Sequence, residues 1–151
     1  GQVVVSGDKA AVDRAVEIAK TKGAKRAMLL PVSAPFHCSL MQPAADAMAE
    51  ALANVTINKP KAPLVSNVLA SAITDPDEIR KRLVEQVTGT VRWRESVAYM
   101  AAQGVTHFLE IGAGKVLSGL VKRIADGAVG VSVGGPGDIE AAKAALAASR
   151  A

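Results

Sequence analysis

The alternation of helix-like and strand-like segments after residue 92 constrains the fold of this chain most. Helical patterns at residues 93–103, 115–125 and 138–149 are separated by apolar runs at 105–111 and 128–133. In the first run apolar side chains dominate both alternating sets of positions, as in a strand that is buried on both faces. The alternation predicts an α/β fold in which a parallel sheet carries helices on both faces.

Composition narrows the possible classes of protein. Half of the 151 residues are apolar and 3% are aromatic, which favours parallel strands covered by helices of small residues. One cysteine, Cys38, excludes an internal disulfide, and two histidines are too few for a credible zinc cluster. We therefore expect no metal and a reducing cytoplasm. The chain contains neither a signal-peptide pattern nor 18 successive apolar residues, so we expect no secretion and no membrane span.

The net charge of +4 allows an acidic partner without requiring one. The basic residues form small, scattered groups, whereas nucleic-acid binding usually needs denser clusters or aromatic platforms. We expect no nucleic acid and interpret most of these charges as solvated faces.

The first thirty residues predict a β-α-β unit. Strand-like runs at 2–5 and 25–30 flank a helix over 9–22, which Gly23 should end in a left-handed conformation. Two strands cannot bury both of their faces alone. The chain also begins without methionine and enters a strand at once, which suggests a fragment of a longer protein.

The middle of the chain predicts further short elements. A helix is expected from 43 to 53, a strand over 64–67 and a second short strand or hairpin arm over 68–74. The sequence Thr74-Asp-Pro76-Asp-Glu78 is typical of a helix start, because it offers a cap, a first-turn proline and acidic residues near the positive end of the dipole.

A proline-rich loop carries the first candidate for chemistry. The run Pro31-Val-Ser-Ala-Pro-Phe-His37-Cys joins a strand-like segment to the helix at 43, and its two prolines restrict the backbone. An imidazole that titrates near neutral pH can serve as a general base, so His37 is a candidate. A loop histidine that only caps or packs is the alternative.

Other positions have a functional and a structural interpretation. Asn67 ends a strand and Gln86 lies near a helix end, so either could orient an imidazole or be an ordinary terminal residue, and sequence spacing does not decide between these. Gly112-Ala-Gly114 follows a strand, but Leu117 stands where a dinucleotide fingerprint needs glycine. We expect packing or an edge contact from His107, because it lies within a strand, and we expect Cys38 to be a small buried residue.

Several motifs taken together resemble the carboxy-terminal half of bacterial malonyl-CoA:acyl carrier protein transacylases. The resemblance covers essentially the whole chain in order. The matching runs are Gly1-Gln-Val-Val, Gly23-Ala-Lys-Arg26, Pro31-Val-Ser-Ala-Pro-Phe-His37-Cys, Met41-Gln-Pro-Ala-Ala-Asp46, Ser66-Asn-Val68, Leu83-Val-Glu-Gln86, Val91-Arg-Trp93 and Glu110-Ile-Gly-Ala-Gly-Lys-Val-Leu117.

The resemblance implies a chemistry and a role for each site residue. A serine in a Gly-His-Ser-x-Gly elbow would take malonyl from coenzyme A and pass it to the phosphopantetheine thiol of acyl carrier protein, with no cofactor. His37 resembles the general base and acid, and Gln86 the residue whose backbone carbonyl orients it. Gln2 and Asn67 resemble polar residues that line the site. Phe36 resembles the aromatic residue of malonyl-selective domains.

The resemblance also implies what this chain lacks. We expect no Gly-x-Ser-x-Gly elbow in it, so the nucleophile would lie in an amino-terminal half upstream of residue 1, and the fragment should be inactive alone. Residues 1–33 would be part of a ferredoxin-like small subdomain, and residues 34–151 part of an α/β-hydrolase-like acyltransferase core. The alternative is a non-enzymatic α/β module that binds an acidic protein through Lys25, Arg26 and residues 80–82.

Overall fold

The computed structural model describes residues 2–148, so Gly1, residue 149 at the end of the predicted closing helix, and residues 150–151 lie outside the described residues. The chain divides into two compact units, one up to Val91 and the other from Arg92 onward. Within residues 2–148 no helix is long and apolar enough to cross a membrane.

Within residues 2–91 the first unit contains three α-helices, a short 3-10 helix (Ser39–Met41) and one small antiparallel sheet. Its elements are α1 (Lys9–Thr21), α2 (Gln42–Ala53), β1 (Leu64–Val65), β2 (Ala72–Ile73) and α3 (Pro76–Glu85). The strands pair Leu64 with Ile73, so the predicted hairpin is present but short. Helix α1 ends just before Gly23, which takes a φ of +86° as the sequence predicts.

The predicted strands at residues 2–5 and 25–30 are wrong. Both runs lack strand structure, and their apolar side chains are exposed, with Val3 88% and Leu29 51% accessible. A strand is stabilised by backbone hydrogen bonds to a neighbouring strand, and neither run pairs with another strand among the described residues. The β-α-β unit is therefore represented only by its helix, and the ferredoxin-like assignment of residues 1–33 stays a prediction.

Helix α3 begins as its sequence predicts. The Asp75 side chain accepts a hydrogen bond from the backbone N–H of Glu78 at 2.8 Å, and Pro76 occupies the first helical position. Ile79 faces inward and is 6% exposed. Helix α3 packs against α2, which fixes the position of its carboxyl end, where Gln86 follows.

The second unit alternates helix and strand throughout. Its elements are α4 (Trp93–Ala102), β3 (His107–Ile111), α5 (Val116–Ile124), β4 (Val129–Val133) and α6 (Ile139–Ala148). Strands β3 and β4 run parallel, in register from His107 and Val129 to Ile111 and Val133. This pair confirms the parallel arrangement that the alternation predicts.

The core of the second unit lies where α4 and α5 meet. Val97 and Val121 are almost fully buried, with Ala125 beside them, and Trp93 and Phe108 pack against this cluster. Helix α5 also approaches β4 closely at Gly130, where an added Cβ would lie 2.3 Å from the main-chain oxygen of Ser118. Only glycine fits such a contact between a helix and a strand.

Candidate active site

The proline-rich loop holds His37 in an unusual backbone conformation. Two short-range contacts shape the loop, since the Phe36 N–H donates to the Ala34 carbonyl and the Cys38 thiol donates to the Pro35 carbonyl. His37 has a φ of +61°, a value that residues other than glycine rarely adopt. Such strained residues concentrate at functional sites, so this geometry favours a site over a plain connection.

The His37 imidazole bonds to the main chain at the end of α3. Its Nδ1 lies 2.9 Å from the Gln86 carbonyl oxygen. The last carbonyls of a helix have no intrahelical partner, so this oxygen is available to a side chain. Because a carbonyl only accepts, Nδ1 carries the proton and donates, which leaves the lone pair of neutral His37 on Nε2. Among residues 2–148 no group hydrogen-bonds Nε2.

Asn67 is joined to the same residue through its side chain. Asn67 Nδ2 donates to Gln86 Oε1 at 2.7 Å, and both residues are half-buried. Gln86 thus accepts from Asn67 with its amide and from His37 with its backbone. The structure brings together three of the five predicted site residues in one chain of hydrogen bonds.

A cavity of about 250 Å³ adjoins the Asn67–Gln86 pair. Its wall combines the β1 end, the turn after it and one face of α3. The lining residues are Leu64, Val65, Ser66, Asn67, Arg82, Leu83 and Gln86. The pair therefore lies at the edge of an open space rather than in a sealed core.

The remaining two predicted residues are not linked to this chain of hydrogen bonds. Phe36 precedes His37 and is 44% exposed, so its ring is available to a ligand. Gln2 is exposed in a segment without regular structure and, among the described residues, makes no hydrogen bond to His37, Asn67 or Gln86. The roles predicted for Phe36 and Gln2 stay predictions.

Cys38 and His107 make contacts that do not involve His37. Cys38 is half-buried, and its thiol bonds to the Pro35 carbonyl at 3.1 Å. His107 begins β3, and its Nδ1 lies 2.9 Å from the Thr106 hydroxyl. Cys38 is thus less buried than we expected, and the packing role of His107 stays a prediction.

Glu110 caps α5, a role that the sequence pattern did not predict. Its carboxylate accepts from the backbone N–H groups of Leu117 and Ser118 and from the Ser118 hydroxyl, at 3.2, 2.8 and 2.8 Å. The Ser118 N–H is the largest cause that lowers the pKa of Glu110. These amides are the groups that a phosphate would need at a helix start. The signal was an acidic residue at the end of a strand, just before the Gly112-Ala-Gly114 turn.

The basic group at residues 80–82 is largely engaged within the first unit. Arg82 pairs with Glu78 and Glu85, and these hydrogen bonds raise its pKa. Arg80 donates to the Val55 carbonyl at 2.9 Å. These contacts leave less free positive charge for an acidic partner than the sequence suggests.

Known proteins resemble the chain closely, although no protein-family model matches it. The malonyl CoA-acyl carrier protein transacylase of Escherichia coli (strain K12) is 56% identical over 126 residues, which are 83% of this chain and 41% of that protein. A crystal structure of acyl-carrier-protein S-malonyltransferase from Bartonella henselae is 52% identical, with a TM-score of 0.87, over 93% of this chain and 45% of that one. The chain is homologous to part of the malonyl-CoA:acyl carrier protein transacylases.

A third match is a solved complex of two proteins. It is a complex of a type II polyketide-synthase acyl-carrier protein with its malonyl-transacylase, at 43% identity and a TM-score of 0.84, over 90% of this chain and 44% of that one. The chain thus spans less than half the length of the transacylases it matches. The matches confirm the α/β class, and they give no support to a non-enzymatic binding module.

The Gly-x-Ser-x-Gly pattern, which we expected to be absent, does occur in this chain. Residues Gly130-Val-Ser132-Val-Gly134 have the Gly-x-Ser-x-Gly spacing. Ser132, however, lies inside β4, in register with Glu110 of β3, whereas a nucleophile elbow is a sharp turn from strand to helix. Ser132 therefore lacks the setting of a nucleophile.

Proposed function

We propose that the protein containing this chain transfers malonyl from coenzyme A to the phosphopantetheine thiol of acyl carrier protein, in fatty-acid biosynthesis. The observation that carries the proposal is the 2.9 Å contact between His37 Nδ1 and the Gln86 carbonyl. It fixes the tautomer that a general base needs, and the similarity to transacylases supplies the reaction class.

In the first half-reaction, His37 Nε2 accepts the proton of a serine hydroxyl that lies outside this chain. The serine oxygen forms a bond to the thioester carbonyl carbon, and the carbon–sulfur bond to coenzyme A breaks. The imidazolium returns its proton to the departing sulfur. The Gln86 carbonyl stabilises this imidazolium because Nδ1–H points at a partial negative charge.

The second half-reaction repeats these steps with a different thiol. His37 accepts the proton of the carrier-protein phosphopantetheine, whose sulfur attacks the acyl-serine ester. The ester bond to serine breaks, and His37 protonates the serine oxygen. We expect no cofactor, because each step moves only a proton and an acyl group, and we expect a cytoplasmic location.

Two residues would contact the substrate, and others would contact the carrier protein. Phe36 would restrict space beside His37 and favour malonyl over branched acyl groups, and Gln2 would add a polar contact. Lys25 and Arg26 are exposed and would attract an acidic carrier protein. The solved complex of a related transacylase with its acyl-carrier protein supports this partner.

The test is malonyl transfer from coenzyme A to acyl carrier protein by the complete polypeptide that contains this chain and a Gly-His-Ser-x-Gly elbow. His37→Ala should lower kcat/KM by a factor of roughly 10² or more, the usual contribution of a general acid–base group. His107→Ala removes the chain's other histidine and should leave turnover within about twofold, because the His107 imidazole hydrogen-bonds to the hydroxyl of neighbouring Thr106. Unchanged turnover in His37→Ala would overturn the proposal.

A further inference from the structure

Gln86 uses two different groups for its two contacts. The backbone oxygen accepts from His37, and the side-chain oxygen accepts from Asn67. A backbone carbonyl has no rotamer of its own, so its direction depends on how the residue is held. Gln86 is the residue immediately after α3, where helices commonly fray unless a side chain secures them.

Asn67 is itself rigidly held. It lies in a closed turn between β1 and β2, in which the Ala70 N–H donates to the Ser66 carbonyl at 2.8 Å and the Ser66 N–H donates to the Ser71 carbonyl at 3.1 Å. Ala70 keeps a φ of +54°, so this turn, like the His37 loop, carries a strained residue. Backbone hydrogen bonds therefore hold the turn from which the Asn67 amide donates.

The turn and the end of α3 are also packed together beyond this hydrogen bond. An added Cβ on Gly89 would lie 2.8 Å from Val68 Cγ1 and 3.0 Å from the Glu85 carbonyl oxygen. Glycine at residue 89 thus leaves room for the Val68 side chain of this turn beside the end of α3.

We infer that Asn67 is a positioning residue that acts through the Gln86 side chain to keep the Gln86 carbonyl aligned with the His37 imidazole. This inference rests on the proposed function and replaces a substrate contact for Asn67 with a role in orientation. The physical reason is geometric. Displacing a general base by about 1 Å can slow the chemical step considerably. A hydrogen bond that holds the carbonyl orienting this base therefore affects the rate.

A double-mutant cycle in the complete polypeptide tests this inference. Asn67→Ala and Gln86→Ala each remove one end of the side-chain bond, while Gln86→Ala keeps the backbone carbonyl. Each should lower kcat by roughly tenfold with KM for malonyl-CoA within about twofold, because the lost interaction serves the transition state. The double variant should also lose roughly tenfold and not a hundredfold, since either change breaks the same bond.

Two further variants separate the hydrogen bond from the shape of the side chain. Asn67→Asp keeps the shape, and Gln86 can turn its amide to donate to the new carboxylate, so most of kcat should return. Asn67→Leu has a similar size without a donor and should match Asn67→Ala. Ser71→Ala is the control in the same turn, because Ser71 accepts from the Ser66 N–H with its backbone carbonyl, which the substitution keeps, and does not line the cavity, so kcat should be unchanged.

The outcomes distinguish this inference from the proposed function. A rise in KM with unchanged kcat in Asn67→Ala would overturn the positioning role and indicate a substrate contact. Multiplying losses in the double variant would overturn action through Gln86. If Asn67→Ala does not fold, Gln86→Ala alone decides, because wild-type kcat there would contradict the inference. Retained activity in His37→Ala would instead overturn the proposed function itself.

Discussion

Glu110 at the end of β3 and Ser118 in α5 are joined by two hydrogen bonds of 2.8 Å, one from the serine N–H and one from its hydroxyl. The Leu117 N–H donates to the same carboxylate. A single acidic side chain thus satisfies amides at the start of α5 that otherwise lack a partner, and it places a negative charge at the positive end of the helix dipole.

The stability of the protein should therefore depend on the charge of Glu110. The hydrogen bonds from Ser118 and Leu117 lower its pKa below the ordinary value of 4.5, so the folded protein holds this proton less tightly than the unfolded chain. The stabilisation is fully present above about pH 4.5 and is lost as the pH falls through the lowered pKa. Urea unfolding at pH 7 and across the acidic range measures this dependence.

Glu110→Gln keeps the size of the side chain and removes the charge. It should be less stable than the parent at pH 7, and the difference should shrink at low pH, where the parent is also neutral. Glu17→Gln serves as the control, since Glu17 lies beyond the first turn of α1 and forms an exposed ion pair with Lys20, so the substitution should have little effect. An equal difference between Glu110→Gln and the parent at every pH would contradict a role for the charge.

The contact between Gly130 and Ser118 predicts a second stability effect. A Cβ at residue 130 would lie 2.3 Å from the Ser118 oxygen, so Gly130→Ala must separate β4 from α5 and should cost about 2 kcal/mol in the free energy of unfolding. Gly119→Ala is the matched control within α5. It meets no atom within 4 Å and should stabilise the helix by about 0.5–1 kcal/mol. Denaturant unfolding compares the two variants, and a similar loss of stability in both would argue against close contact with Ser118 as the reason for glycine at residue 130.

Two aspartates at helix starts allow a comparison of caps. Asp75 accepts the Glu78 N–H, whereas Asp8, which precedes α1, makes no capping hydrogen bond with its side chain. Asp75→Ala should lower the free energy of unfolding by about 1 kcal/mol, and Asp8→Ala by clearly less. Denaturant unfolding of the two variants under identical conditions checks the difference, and equal losses would show that the observed cap contributes nothing.

The sequence predicted those elements whose signals are local. The cap at Asp75, the left-handed Gly23 and the parallel strands followed from nearby residues and from alternation. The strands expected at 2–5 and 25–30 failed because strand structure depends on a pairing partner, which no local pattern supplies.

Local sequence patterns also could not predict which side chains of the candidate site contact one another. His37 and Gln86 are 49 residues apart, and Asn67 and Gln86 are 19 apart, so spacing could not establish that they meet. The resemblance to transacylases selected these residues, and the structure shows the hydrogen bonds that join them. Glu110 was missed because its function depends on amides seven and eight residues later, whose direction is set by the Gly112-Ala-Gly114 turn.

The proposed function predicts that Phe36 affects the choice of acyl substrate. Its half-exposed ring precedes His37, so it would occupy space where a branched acyl group would extend. Phe36→Ser should raise kcat/KM for methylmalonyl-CoA relative to malonyl-CoA by roughly tenfold, as expected for room that admits one more methyl group. Leu40→Ser is the control, because Leu40 is similarly exposed nearby but does not adjoin His37 in sequence, and the ratio should be unchanged. An unchanged ratio in Phe36→Ser, with activity retained, would remove this residue from the control of selectivity.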